Sequence, residues 1–156
     1  QDTLGGIVYY IYIGSNGKQH GLVVHRSESA QAWQSNSTIT NATRGWDGFH
    51  NTNIMKNYSS AAANYVNTLN LANIDGFSDW YLPSIDELRR LFANRDFANK
   101  ALNDGSHVLL SYTATYWSST ENHTNATAAF TFSFFRGYTG SYLKYNSLSV
   151  RAVRYF

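Results

Sequence analysis

Nucleophilic catalysis needs a serine, threonine or cysteine beside a base that a third group orients. The chain has no cysteine, and its five histidines, His20, His25, His50, His107 and His123, are dispersed with no Gly-x-Ser-x-Gly elbow near any of them. A His-Glu-x-x-His helix, an EF-hand loop and a Cys/His zinc set are all missing, so no motif gathers metal ligands. Asp75, Asp79, Asp86 and Glu87 crowd together in sequence. Asp86 and Glu87, however, fall in the first turn of a helix, where negative charge complements the dipole. The residues able to make contacts lie elsewhere, between Asn122 and Ser149. There Phe135, Arg136, Tyr138, Tyr142, Leu143 and Tyr145 are too many large side chains, at too poor an alternation, to be buried together. Aromatic rings with few rotors supply contact area at low entropic cost, and Ser, Gly, Asn and Thr supply adaptable hydrogen bonds. Such chemistry is recognition. The expectation is a binding surface and no enzyme, cofactor or metal.

The elements that must position this segment can be read in order. Gly6–Ile13 is a β-branched and aromatic run ending in the turn Gly14-Ser15-Asn16-Gly17, and His20–His25 answers it as the second strand of a hairpin. Residues 26–57 read as a long irregular stretch anchored by Trp33, Trp46 and Phe49. Tyr58–Leu71 reads as a helix capped by Ser59 or Ser60, with Ala62, Tyr65, Val66 and Leu69 on one face. Trp80-Tyr81-Leu82 is a short extended piece stopped by Pro83. Ser84-Ile85-Asp86-Glu87 is then a capping box opening a second helix, whose buried stripe is Ile85, Leu88, Leu91 and Phe92 and whose outward face carries Arg89 and Arg90. Residues 93–114 read as a weaker helical turn plus loop. From Thr115 onward the character is β. Tyr116–Thr120 is a strand, Phe130–Phe135 alternates as a half-buried strand, Arg136–Gly140 is a turn region, and Ser149–Phe156 closes the chain as an apolar strand. Trp80, Trp117, Ile85 and Val153 are core candidates, and Arg151 and Arg154 are expected to bond internally to loop backbone or to acids.

Composition narrows the class. A length of 156 residues suits a single domain over residues 1–156 that needs no disulfide or metal staple. Only 14% of residues are charged, against roughly 25% in ordinary domains. The net charge of +2 comes without a clustered basic patch, since the only tight groupings are Arg89-Arg90 and Arg151/Arg154. Nucleic-acid binding, which depends on such a patch, is therefore not expected. No apolar run reaches the roughly 18 residues of a membrane span, and Gln1-Asp2-Thr3-Leu4 shows no signal-peptide pattern.

Four ordered motifs carry a family resemblance: Gly5-Gly6-Ile7-Val8; Trp80-Tyr81-Leu82-Pro83-Ser84 with Glu87-Leu88; Tyr116-Trp117-Ser118-Ser119-Thr120-Glu121; and Val150-Arg151-Ala152-Val153-Arg154. Together they resemble the Lcl C-terminal domain family, named for a collagen-like bacterial adhesin, and they cover the chain nearly end to end. The resemblance implies an α+β, C-type-lectin-like fold with paired N- and C-terminal strands. Two helices would flank a small, mostly antiparallel twisted sheet, and the loops would be extensive. The formylglycine-generating enzymes of that superfamily share the motif order, but their chemistry uses cysteine. Calcium-dependent lectins use a Glu-Pro-Asn-like triplet and a Trp-Asn-Asp, and neither occurs here.

The segment Asn122–Ser149 is further similar to the variable receptor-binding proteins of diversity-generating retroelements. There, randomised template adenines convert Asn codons into many residues, but never into Glu, Gln, Lys, Met or Trp. This segment contains no Asp, Glu, Gln, Met or Trp, and its one lysine, Lys144, stands where such relatives carry a fixed lysine. The resemblance implies a variable surface made of Ser133, Phe135, Arg136, Tyr138, Ser141, Tyr142, Leu143, Tyr145, Asn146 and Leu148. It would bind a protein or cell-surface glycan ligand, from a virion surface or an extracellular or cell-surface position. A fixed-specificity glycan-binding adhesin and a structural fibre domain are the alternatives.

Overall fold

The computed structural model describes residues 4–156; Gln1–Thr3, where a signal pattern was sought, lie outside them. Strands β1 (Gly6–Ile13) and β2 (Gln19–His25) form the expected antiparallel hairpin, closed by Gly17 in a left-handed conformation. On its far side β2 pairs with β8 (Val153–Tyr155), so the sheet runs β1-β2-β8. β2 is the central strand and is buried on both faces, which is why Leu22-Val23-Val24 shows no alternation. A second sheet runs β3-β7-β4-β5-β6, from Ser29–Ala32, Ser147–Val150, Thr115–Glu121, Ala128–Ser133 and Tyr138–Leu143. All its pairings are antiparallel except β4 with β7.

The termini therefore share a sheet, but β1 and β8 do not touch as a pair, because β2 lies between them. The stretch read as one closing strand is also two. It breaks at Arg151-Ala152, with β7 in one sheet and β8 in the other. The break is built around Arg151, which is fully buried and donates from Nη2 to the Val108 carbonyl at 2.6 Å.

Among the described residues there are four α-helices where two were expected. α2 (Ala61–Ala72) begins at Ser60, whose hydroxyl accepts from the Ala63 amide, and stops at left-handed Asn73. α3 (Ile85–Ala93) carries the full capping box between Ser84 and Glu87. The two additional helices are α1 (Gly48–Met55) and α4 (Arg95–Leu102). α1 hides in the polar stretch because it buries Gly48, Asn51 and Thr52 along with Met55, so its inner face leaves no hydrophobic period to read. β3 hides there too, half-buried and only four residues long. Arg136-Gly137 is a tight turn, but Tyr138–Gly140 already belongs to β6.

Two cores result. One packs Ile7, Leu22 and Val24 with the α3 stripe, Ala98 and Leu102 of α4, and Tyr116, Phe132 and Phe134. The other gathers Trp33, Trp80 and Trp117 with Met55, Val66 and Val150. Trp80, Trp117, Ile85 and Val153 are all buried, as expected from their motifs.

Candidate functional site

The β5–β6 hairpin is held rigidly from behind. Phe134 turns inward and packs its ring 4.4 Å from that of Tyr116 and 5.4 Å from that of Phe92. Arg95 Nη1 donates to the Phe134 carbonyl at 2.9 Å. Gly137, with φ +70°, makes the turn a side chain would strain, and its amide donates to the Ser133 carbonyl at 2.8 Å. The consequence is that Phe135 and Arg136 project into solvent, Phe135 with 69% of its surface exposed.

The next turn is pinned by Lys144. Its ammonium is ion-paired with Glu121 at the end of β4, donates to the Thr38 carbonyl at 2.7 Å and lies 4.8 Å from the Trp33 ring centre. Glu121 also accepts from the Thr40 and Asn41 amides, so both charges are paired and hydrogen-bonded in the interior. Lys144 is thus a structural post. Tyr145, its neighbour, is exposed.

On the outer face of this sheet lies a groove of about 260 Å³. Ser133, Phe135, Arg136, Tyr138 and Tyr142 line it, joined by Thr113, Thr115, Thr131 and Gly140. Register explains the set. Thr115 pairs with Ser133, Ser133 with Tyr138, Thr131 with Gly140, and partners across a sheet share a face. Gly140 leaves the floor open above Thr131, whose Oγ1 is buried with no hydrogen-bond partner. Arg136 is the only charged residue in the lining, and no carboxylate or imidazole faces the groove. Such a site can stack rings and exchange hydrogen bonds; it has no acid–base pair.

The other five expected residues do not line this groove. Ser141 and Leu143 are exposed on the opposite face of β6, by the two-residue period of a strand. There Ser141 Oγ accepts from Asn122 Nδ2 at 3.0 Å. Tyr145 and half-buried Asn146 form the turn after β6, and Leu148 is half-buried against the tryptophan core. Sequence reasoning missed Thr113, Thr115, Thr131 and Gly140. Their signal was the antiparallel register of β4 with β5, which needs the tertiary pairing to be read.

The basic and acidic candidates resolve into structure. Arg154 clasps Asp79, with Nε at 2.5 Å and Nη2 at 3.0 Å from the carboxylate, and reaches the Leu4 carbonyl. Glu87 is more than a first-turn acid. It is buried and accepts from the Tyr81 hydroxyl at 2.9 Å, from the Tyr155 hydroxyl, and from the Gly48 and Ser84 amides. Burial, reinforced by that negative neighbour, raises the Tyr155 pKa above the usual phenol value. His25, the last residue of β2, is buried. No three His, Asp or Glu side chains converge to hold a metal ion among the described residues. No helix among them is long and apolar enough to cross a membrane.

The model of the Lcl C-terminal domain matches residues 21–154. The chain belongs to the Lcl C-terminal domain family. The match takes in most of the second strand, all four helices, the groove and both arginines of the closing motif. No curated protein sequence matches the chain. Among solved structures it is similar to a fimbrial protein from Bacteroides ovatus, with a TM-score of 0.72 at 17% identity. That likeness covers 90% of this chain and 37% of the fimbrial protein, so this Lcl C-terminal domain spans little more than a third of that molecule's length.

Proposed function

We propose that this Lcl C-terminal domain is a non-catalytic, C-type-lectin-like recognition module of a cell or virion surface, and that the β5–β6 face is its ligand-binding surface. The observation that carries the reading is the groove itself, walled by exposed rings and hydroxyls and mounted on a hairpin whose inner side is locked into the core. None of the ten residues from Ser133 to Leu148 is fully buried, and seven are exposed. Rigid display of Tyr, Phe and Arg is what interface hot spots require. The partner is a protein or a cell-surface glycan, approached with little long-range steering because Arg136 is the groove's one charge. A surface location is supported by the fimbrial neighbour.

The finer reading is that this face is diversified, as in the variable proteins of retroelements. Support comes from the segment's restricted composition and from the burial of its one lysine as a post. A fixed-specificity adhesin is favoured instead by the family's namesake and the fimbrial neighbour alone. A reverse transcriptase gene and a near-copy of the 3′ coding end, differing at adenines, would separate the two. The surface itself is tested by randomising Ser133, Phe135, Arg136, Tyr138 and Tyr142 together. Most variants are expected to keep a cooperative denaturation curve while differing in what they capture from a panel of surface proteins and glycans. If most fail to fold, the groove residues are structural and the reading falls.

A further inference from the structure

Three of the four tryptophans are core residues; Trp46 is 67% exposed. Its loop is clamped on every side. The Arg44 amide donates to Asn51 Oδ1 at 3.1 Å, and Asn51 Nδ2 donates to the Arg44 carbonyl at 2.6 Å. Thr120 Oγ1 donates to the same carbonyl at 3.1 Å, the Asp86 amide donates to the Gly45 carbonyl, and Asp47 caps α1. The backbone on both sides of this exposed indole is therefore held, which lowers the ordering cost of using Trp46 as a binding anchor.

Trp46 borders a cleft of about 230 Å³ whose other walls are Tyr10, Tyr12, Leu22, Arg90 and Tyr155. Each ring is fixed from behind. Tyr155 packs 5.1 Å from the Tyr81 ring while its hydroxyl is spent on buried Glu87. Tyr12 stacks on His20 at 5.6 Å and leans on Tyr10 at 5.9 Å. The Arg90 guanidinium lies 5.0 Å from the Tyr10 ring centre and makes no hydrogen bond or ion pair with any described residue. The flanking acids are already committed, Asp86 to Arg89 and Asp47 to Arg44. The cleft therefore carries one unspent positive charge.

We propose that this cleft is a second binding site, for a single sugar ring bearing a carboxylate. A pyranose has an apolar C–H face that stacks on indole and phenol rings. Its rim of hydroxyls suits a cleft lined by Tyr10 and Tyr12. A carboxylate is what one unpaired guanidinium recognises, through two parallel hydrogen bonds. A cation is repelled by Arg90, and phosphate or sulfate clusters would call for more than one basic group. The volume, below the roughly 300–1,000 Å³ of drug-sized pockets, fits one ring and not an oligosaccharide. None of the six lining residues falls within 122–149, so this site stands apart from the groove and does not depend on the reading given to it.

The test is a titration of the chain with methyl β-glucuronide and with its neutral twin methyl β-glucoside, followed by the Trp46 indole NMR signal and by tryptophan fluorescence. The glucuronide is expected to give a saturable shift. The glucoside and Arg90→Gln are each expected to weaken binding by about tenfold or more, and so is Trp46→Ala, read by isothermal titration calorimetry because that variant lacks the reporter indole. Tyr142→Ala, in the groove, is expected to leave it unchanged, which separates this site from the other. Both mutated side chains are exposed, so a folded variant with lost binding is interpretable. No saturable shift with the glucuronide, equal binding of the glucoside, or variants that bind like the parent would overturn the proposal. So would preferential binding of a short Tyr-Pro peptide at the same indole.

Discussion

His25 shows how far one side chain departs from its residue-type expectation. Its ring meets Trp80 edge-on at 4.7 Å, and Nδ1 accepts from the Ser27 amide at 3.0 Å. Burial, reinforced by the charge of Arg151, lowers its pKa from 6.5 to about 4. Between those values the unfolded chain binds more protons than the folded one. Stability is therefore complete above the unfolded pKa and declines as pH falls through the window. At about 1.4 kcal/mol per pKa unit, the loss approaches about 3 kcal/mol near the lower end. Urea midpoints measured near neutrality and again near the lower end of that window should show this decline, and His25→Phe should flatten it. A decline unchanged in the variant would assign it to other groups. Lys144 offers a contrast with its neighbour. Lys144→Met strands the buried Glu121 carboxylate and should cost about 3–5 kcal/mol, whereas exposed Tyr145→Ala should stay within about 0.5 kcal/mol. Equal effects on the denaturation midpoint would show that the ion pair is not the post it is taken to be.

At the scale of elements, α1 and α3 are coupled through Glu87, whose carboxylate reaches the Ser84 amide of its own cap and the Gly48 amide at the start of α1. Gly48 exists for this approach. A Cβ there would lie 2.5 Å from Glu87 Oε2 and 2.6 Å from the Leu82 carbonyl oxygen. Alanine is the better helix former by about 1 kcal/mol, yet Gly48→Ala is expected to destabilise by about 1–3 kcal/mol through overpacking. A thermal melt showing stabilisation would mean that the two helices can separate without cost. The capping box was legible because its spacing is local, Ser84 to Glu87 within one turn. The same carboxylate's bonds to Tyr81, Tyr155 and Gly48 were not, because they join residues from three other parts of the chain.

For the whole molecule, the closing segment matters beyond its length. Residues 147–155 contribute β7 to one sheet and β8 to the other, and between them Arg151 fills the interior. Deleting residues 149–156 removes β8 and half of β7 along with Val150, Ala152 and Val153 from the cores, and is expected to abolish cooperative folding. A surviving sigmoidal melt would contradict this account of how the sheets are joined. By contrast, Tyr142→Ala should move the melt little, while Trp117→Ala, which opens a cavity in the second core, should cost about 3–5 kcal/mol. Calorimetry on the two variants side by side decides whether surface and core are divided as described.

What the sequence determined by itself was whatever depends on near neighbours: the hairpin at Gly14–Gly17, a cap at Ser59 or Ser60, the capping box at Ser84, the strand character after Thr115, and the buried tryptophans of the motifs. The surplus of rings and hydroxyls after Asn122 also announced a surface. Tertiary structure alone decided which strands pair. β8 joins β2 rather than β1, and β4, β5 and β6 align Thr115 with Ser133 and Tyr138, and Thr131 with Gly140. It also decided that α1 is a helix despite a polar inner face, since Asn51 and Thr52 are satisfied there by bonds to Arg44, Gly48 and Leu82. Long-range hydrogen bonds and register carry no local period, so a groove assembled from four separate stretches and a cleft assembled from β1, β2, the Trp46 loop, α3 and β8 become visible only once the chain has closed on itself.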